Sequence, residues 1–104
     1  MHYRITSFSF DPDREGDVMA VAHAAADELK AIVGMQSAVI VRVGDGKTMT
    51  IAAYDTEDSA VAAQPKIQSI LSQLAGMLTA PPEVQEGPVL FDFFSSTLSE
   101  YSLI

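Results

Sequence analysis

The sequence lacks three residue types entirely: cysteine, tryptophan and asparagine. Without cysteine there can be no disulfide bond, zinc–thiolate site, iron–sulfur cluster or thiol nucleophile. No run approaches the roughly 18 apolar residues that a membrane-spanning helix needs, and the first residues lack the basic and apolar regions of a signal peptide. We therefore expect a cytoplasmic protein with none of these thiol and metal chemistries.

Positive charge is also scarce. Fourteen Asp and Glu residues outnumber six Lys and Arg residues, which gives a net charge of -8. Such a chain would be repelled by a nucleic-acid backbone, and an anionic membrane surface would attract clusters of basic residues that are missing here. The expected partners are therefore proteins or small neutral ligands, and neither nucleic acid nor membrane.

The length of 104 residues and an apolar content of 48% predict one compact domain with a real core. We place this domain at residues 1–94, followed by a polar C-terminal tail at 95–104. Hydrophobic periodicity and turn residues predict the elements in this order: strand His2–Phe10, helix Asp17–Val33, strand Ser37–Val43, strand Met49–Tyr54, a helix capped by Asp55 or Thr56 with a break or kink at Gln64–Pro65, and strand Val89–Phe94. This order predicts an α+β fold, a ferredoxin-like βαββαβ sandwich with a four-stranded antiparallel sheet and two helices on one face.

The two central strands are predicted to form a hairpin with apolar residues on both faces. A two-residue Asp-Gly loop would pair Val41 with Thr50, whereas a three-residue Gly-Asp-Gly loop pairs Val41 with Met49 and sorts the residue types better. One face then holds Val39, Val41, Val43, Met49 and Ile51, and the other holds Ala38, Ile40, Arg42, Thr48, Thr50, Ala52 and Tyr54. Because strands with two apolar faces are usually covered on both sides, we expect a homodimer that joins two sheets into an α/β barrel.

The passage Tyr-Asp-Thr-Glu-Asp at 54–58, the Gln64–Pro65 break and the order of elements resemble the dimeric α/β-barrel superfamily. Within it, residues 2–94 are most similar to small proteins of the antibiotic biosynthesis monooxygenase type. The resemblance implies oxidation of a small aromatic or quinol-like molecule by dioxygen, without metal or other cofactor, in a pocket between sheet and helices.

Sites in that family use an Asn and a Trp on the strands and sometimes a His on the second helix. In this chain Tyr54 matches the aromatic residue at the strand end, Thr50 lies four residues earlier, and the helix position falls near Gln64. Since the chain has neither Asn nor Trp, the haem-degrading version of the family is not supported.

Tyr54, Arg42 and Thr50 are the candidate catalytic residues, because they share one strand face. A tyrosine hydroxyl can hold or relay a proton, a guanidinium can stabilise an enolate or phenolate, and a threonine can position an oxygen. The alternative is that Tyr54 and Arg42 are rim residues with their polar tips in water.

Asp92 is a further candidate, since it is predicted inside an apolar strand. There it would need a partner such as Arg4 or Arg42, and it is either a base, a structural ion-pair member or an edge-strand charge. His23 is predicted to lie away from the apolar stripe of the first helix, in a solvated pair with Asp27. Two distant histidines predict no metal site.

Two functions from different classes follow. The first is a cofactor-independent monooxygenase-like enzyme acting on a small aromatic or quinone-like molecule. The second is a non-catalytic small-molecule-binding or accessory dimeric module. The missing Asn and Trp slightly favour the second, and the sequence leaves open whether the protein is an enzyme.

Overall fold

The computed structural model describes residues 1–94, and the predicted tail lies outside the described residues. Its elements are β1 (His2–Ser9), α1 (Glu15–Ala24), α2 (Ala26–Lys30), β2 (Met35–Gly44), β3 (Lys47–Tyr54), α3 (Glu57–Leu71) and β4 (Glu83–Pro88). The four strands form one antiparallel sheet in the order β2-β3-β1-β4. This confirms the predicted α+β ferredoxin-like fold. Within residues 1–94, no helix is long and apolar enough to cross a membrane.

The helices cover only one face of the sheet. Under them lie two clusters of buried residues, one formed by Phe8, Phe10, Val18 and Leu74 and the other by Ala52, Tyr54, Ala60 and Ala63. The opposite face presents apolar side chains to solvent. Val39, Val41 and Val43 on β2 are 52%, 42% and 54% exposed there.

The first helical segment is divided where one continuous helix was predicted. Ala25 separates α1 from α2, and its N–H is shared between the carbonyl oxygens of Val21 and Ala22 at 3.1 and 3.2 Å. Ala25 is buried and has φ -90° and ψ -2°, the sparsely populated region in which a regular helix does not continue. The second part ends at Lys30 rather than at the predicted Val33.

Of the break or kink predicted at Gln64–Pro65, the break is wrong, because α3 runs through Pro65 without interruption. A proline in a helix leaves the carbonyl four residues earlier without its usual donor. That carbonyl belongs to Val61, whose side chain is 61% exposed, so the freed oxygen lies on the solvent side of the helix. Of the two predicted caps, Thr56 is the one used: its Oγ1 accepts a hydrogen bond from the Ser59 N–H at 3.1 Å.

The predicted hairpin register is confirmed. Val41 pairs with Met49, Val39 with Ile51 and Arg42 with Thr48. The turn itself contains only Asp45 and Gly46. A bulge between Arg42 and Gly44 adds one unpaired residue to β2, and the resulting pairing is the one predicted for a three-residue loop.

The last strand lies earlier in the chain than predicted. β4 pairs with β1 over Glu83–Pro88, whereas the apolar segment Val89–Phe94 contains no regular secondary structure. β4 ends opposite His2, the first residue of β1, and one further hydrogen bond runs from the Val89 N–H to the Met1 carbonyl oxygen at 2.9 Å. The apolar composition that predicted a buried strand instead belongs to an exposed segment, in which Leu90 and Phe94 are each 93% exposed.

We expect the Gly46→Ala substitution to lower the free energy of unfolding by about 2 kcal/mol or more. Gly46 has a φ of 67°, a left-handed conformation that costs other residues about 1–2 kcal/mol. A Cβ atom there would also lie 2.1 Å from the Phe10 carbonyl oxygen. Urea unfolding measures the change. The control is Gly16→Ala in α1, where a Cβ meets nothing within 4 Å and stability should rise by about 0.5 kcal/mol. Equal stability of the two variants would contradict this account.

Candidate active site

Polar side chains occupy the centre of the helix-covered sheet face. His2, Arg4 and Thr6 on β1 are only 4%, 6% and 8% exposed. Since β1 lies between β3 and β4, alternate residues of β1 are enclosed between the sheet and the helices. A buried polar group destabilises the fold unless it finds hydrogen-bond partners, and the partners of these side chains define the site.

Arg4 is held by three protein groups. Its Nε donates to Oε2 of Glu86 at 3.3 Å, and its Nη2 donates to the Ala60 carbonyl oxygen at 3.2 Å. Its Nη1 donates to the hydroxyl oxygen of Tyr54 at 3.5 Å, and the guanidinium carbon lies 5.5 Å from the centre of the Tyr54 ring. A guanidinium has five N–H donors, so these three contacts leave donors for a ligand.

Glu86 is shared between Arg4 and His2. The Nε2 atom of His2 lies 2.9 Å from Oε1 of Glu86, on the side of the carboxylate that Arg4 does not use. The hydrogen bond from His2, and then that from Arg4, hold the pKa of Glu86 below its usual value against the opposing effect of burial. Glu86 is therefore ionised at neutral pH and balances the charge of Arg4.

Tyr54 ends β3 and has no exposed surface. It packs against Ala60 and Ala63, whose small side chains let α3 approach the sheet closely. Burial raises the pKa of Tyr54, and the neighbouring charge of Arg4 opposes the rise only in part. At neutral pH, Tyr54 thus remains a phenol that can accept a hydrogen bond from Arg4 and donate one elsewhere.

A cavity of about 100 Å³ lies between the sheet and the helices, next to this pair. Arg4, Thr50 and Tyr54 contribute to its sheet side. Its helix side is apolar and is formed by Val21, Ala22, Ala25, Leu29, Ile67, Ile70, Leu71 and Leu74. A larger open cleft of about 620 Å³ adjoins it between β2 and the helices α1 and α2. The site therefore combines a few polar groups with an apolar surround, as ligand sites usually do.

The structure brings together two of the three predicted catalytic residues. Tyr54 and Thr50 both line the cavity, but Arg42 does not. Arg42 lies farther along the same face, where its exposed side chain forms a two-point ion pair with Glu15 at the start of α1. The residue whose guanidinium meets Tyr54 is Arg4, because Arg4 pairs with Ala52 near the end of β3, whereas Arg42 pairs with Thr48, six positions before Tyr54.

Asp92 lies away from the cavity. The prediction that it sits inside a strand is wrong, since β4 ends at Pro88. Its Oδ1 accepts a hydrogen bond from the backbone N–H of Phe94 at 2.8 Å, and its side chain is exposed. The predicted partners Arg4 and Arg42 instead pair with Glu86 and Glu15.

Sequence reasoning missed four polar residues of the site region: His2, Arg4, Glu86 and His23. His2 and Arg4 occupy even-numbered positions of the first strand, as the apolar Phe8 does. Because alternate residues of a strand point to the same face, this pattern indicates that both face the core. Glu86 was missed because the last strand was predicted a few residues too late. His23 is exposed but lines the large cleft.

Gln64 occupies the helix position that the family resemblance associates with a histidine. Its Oε1 atom is buried and has no hydrogen-bond partner in the described part of the chain. Within residues 1–94, no three His, Asp or Glu side chains are grouped closely enough to hold a metal ion.

Glu86→Gln should be less stable than the parent by about 1 kcal/mol at pH 7, because the buried Arg4 loses its counter-charge while the carboxylate is partly exposed and screened. The pKa of Glu86 is lower in the folded state, so its contribution exists above the unfolded value of about 4.3 and is lost as the pH falls through the folded value. The stability difference should therefore shrink below about pH 4. Chemical denaturation at several pH values measures it, with Glu83→Gln on the same strand as the control. A difference that grows in acid would contradict the assignment.

No family model matches the chain, and no match is found among curated proteins. Solved structures do match. Rv0793 from Mycobacterium tuberculosis is 19% identical with a TM-score of 0.74, over 88% of this chain and 97% of that chain. A Nitrosomonas europaea protein whose name assigns it to the antibiotic biosynthesis monooxygenases is 15% identical with a TM-score of 0.77, over 88% and 100%. A monooxygenase of Streptomyces coelicolor in complex with nanaomycin D is 18% identical with a TM-score of 0.75, over 91% and 92%. At these identities the comparison confirms the predicted resemblance at the level of fold: the chain has the ferredoxin-like fold of antibiotic biosynthesis monooxygenase-like proteins.

Proposed function

We propose that the protein is a cofactor-independent monooxygenase-like enzyme that acts on a small aromatic or quinol-like molecule in the cavity between sheet and helices. One observation carries the proposal most strongly. The hydroxyl of the fully buried Tyr54 lies beside a buried guanidinium, and both residues line a cavity whose helix side is apolar.

This arrangement suits the stabilisation of an aromatic oxyanion. A fixed positive charge and a neutral hydroxyl donor in a site shielded from water favour a phenolate or enolate far more than they would in bulk water. Thr50, four residues before Tyr54 on β3, can contact a second oxygen of the same ring system. In this proposal Arg4 has the role that the sequence suggested for Arg42.

The proposed reaction is illustrated by an anthrone. Its methylene loses a proton to solvent, and the resulting anion, held at its oxygen by Arg4 and Tyr54, gives one electron to dioxygen. The superoxide then bonds to the carbon, and a proton from solvent completes a hydroperoxide. Loss of water from the hydroperoxide leaves a carbonyl, so CH₂ and O₂ become C=O and H₂O. The substrate loses four electrons and dioxygen gains four.

The structural comparisons support the choice of substrate class. The monooxygenase of Streptomyces coelicolor has this fold and was solved with nanaomycin D bound. The apolar helix side of the cavity also fits an aromatic ring better than a sugar or a peptide.

A non-catalytic binding module is the second candidate, and one observation favours it. Three donors of Arg4 are already used within the protein, and the cavity of about 100 Å³ beside Tyr54 is small for a whole aromatic substrate. An accessory protein would need only the larger cleft.

We also propose that the protein is a homodimer formed through the open sheet face. Ile5, Ile51 and Val39 lie in one cross-strand row on that face, next to a second row that includes Met49 and Val41. Exposed apolar surfaces of this extent usually mark an interaction site. A second copy of the same face would cover it and close the two sheets into a barrel.

The Tyr54→Phe variant should consume oxygen about tenfold to a hundredfold more slowly with anthrone, because one donor to the developing oxyanion is lost. Tyr3→Phe is the matched control, since Tyr3 lies on the opposite sheet face and the hydroxyl it loses is outside the cavity. An oxygen electrode measures the rates. Equal rates in both variants would exclude the proposed role of Tyr54. If aromatic compounds raise the melting temperature of the parent but no oxygen is consumed, the binding module is the correct function.

Sedimentation velocity should show a particle of about 22 kDa, twice the chain mass of 11.1 kDa. Val41→Glu should dissociate it, because a carboxylate would be buried in the apolar interface without a partner. Val61→Glu adds the same charge on the exposed side of α3 and should leave the dimer intact. A parent protein that sediments as a monomer at all concentrations would contradict the proposed interface.

A further inference from the structure

The large cleft between β2 and the helices α1 and α2 has the size of a ligand site. Its volume of about 620 Å³ lies within the range of roughly 300–1,000 Å³ that is common for small-molecule pockets. Its walls include Met19 and Ala22 from α1, Leu29 from α2, and Met35 and Ile40 from β2. Flexible thioethers and branched aliphatic side chains pack well against flat aromatic rings.

The charge of this cleft is opposite to that of the whole chain. The lining contains His23 and Lys30 but no Asp or Glu, although the chain has fourteen acidic residues and a net charge of -8. Within residues 1–94, neither side chain takes part in an ion pair or a side-chain hydrogen bond. By contrast, Arg4, Arg14, Arg42 and Lys66 each have an acidic partner.

Both basic residues belong to the helical wall of this cleft. His23 lies near the end of α1 and Lys30 ends α2, so the two side chains reach the cleft from the two helical segments that Ala25 divides. Lys30 offers three N–H donors, and an imidazole offers at least one in either protonation state. An anion anywhere else on this acidic surface would be repelled, so a local positive site gives selectivity as well as attraction.

The cleft and the cavity beside Tyr54 are adjoining spaces. Four residues, Ala22, Leu29, Ile40 and Thr50, line both of them. A molecule of two or three fused rings could therefore lie with one end near Tyr54 and the other between α2 and β2. This geometry also answers the objection that the cavity alone is small.

We propose that the cleft binds a planar aromatic molecule that carries a carboxylate, with the anionic group at His23 and Lys30 and the rings among Met19, Leu29 and Ile40. The inference rests on the proposed function, since it names the substrate class of that site. It changes the expectation from the sequence, in which the net charge favoured neutral ligands.

The test compares 2-naphthoate with its uncharged analogue 2-naphthamide, using the full chain and isothermal titration calorimetry. The parent should bind 2-naphthoate about threefold to tenfold more tightly. Lys30→Gln should weaken 2-naphthoate binding by about threefold to fivefold and leave 2-naphthamide unchanged. His23→Gln should act in the same direction. Lys47→Gln removes the same charge outside the cleft and should have no effect.

The location of the ligand can be read from methionine methyl groups. In the protein labelled with ¹³C-methyl methionine, Met19 and Met35 line the cleft, whereas Met49 and Met77 lie outside it. Addition of 2-naphthoate should shift the Met19 and Met35 signals and leave the other two unchanged. Shifts confined to Met49 or Met77 would overturn the assignment, as would no measurable binding.

The outcome also separates this inference from the proposed function. Equal affinity for 2-naphthoate and 2-naphthamide, combined with oxygen consumption on anthrone, would overturn the carboxylate site and leave the enzyme. A Lys30-dependent preference for 2-naphthoate, without oxygen consumption on anthrone, would support the site in a binding module and reject the enzyme.

Discussion

The ion pair between Arg4 and Glu86 joins the first and last strands of the sheet across 82 residues of sequence. Arg4 lies in a central strand under the helices, where an unpaired charge would be strongly unfavourable. Its guanidinium donates hydrogen bonds to Glu86 on β4, to the Ala60 carbonyl oxygen on α3 and to the Tyr54 hydroxyl on β3. One guanidinium thus connects β1 to β3, β4 and α3.

The same interaction sets the chemistry of the site. Glu86 is partly exposed and shares its charge with His2, so Arg4 is neutralised from the edge strand β4 while its other donors remain toward Tyr54 and α3. Burial keeps Tyr54 protonated. The positive charge of Arg4 and the hydroxyl of Tyr54 are thus held together because both side chains are buried and each needs a hydrogen-bond partner. Stability and the proposed function therefore depend on the same contacts.

Sequence patterns predicted those features that depend on local periodicity and turn chemistry. The hairpin register followed from sorting Val39 and Val41 against Ile51 and Met49, and it is correct because a one-residue slip would reverse every side chain. The placement of Tyr54 and Thr50 on one sheet face followed from the same register. The role of Arg4 was not predicted, because it depends on which strands are neighbours in the sheet, and that is a long-range property.

Two errors have a common physical origin. The segment Val89–Phe94 was predicted as a strand because it is apolar, and α3 was predicted to break because it contains Pro65. In both cases the structure depends on neighbouring parts of the chain and on exposure to solvent, which local sequence does not show. A proline is tolerated where the freed carbonyl lies on the solvent side, and β4 ends opposite His2, where its partner strand β1 begins.

The central claim is that the space above Arg4 and Tyr54 receives an aromatic ring. A crystal structure of the full chain with anthraquinone-2-carboxylate tests it most directly. The account predicts a ring oxygen within hydrogen-bond distance of the Tyr54 hydroxyl or the Arg4 guanidinium, with the carboxylate toward Lys30. A cavity filled by protein side chains, with the ligand bound elsewhere or not at all, would contradict it.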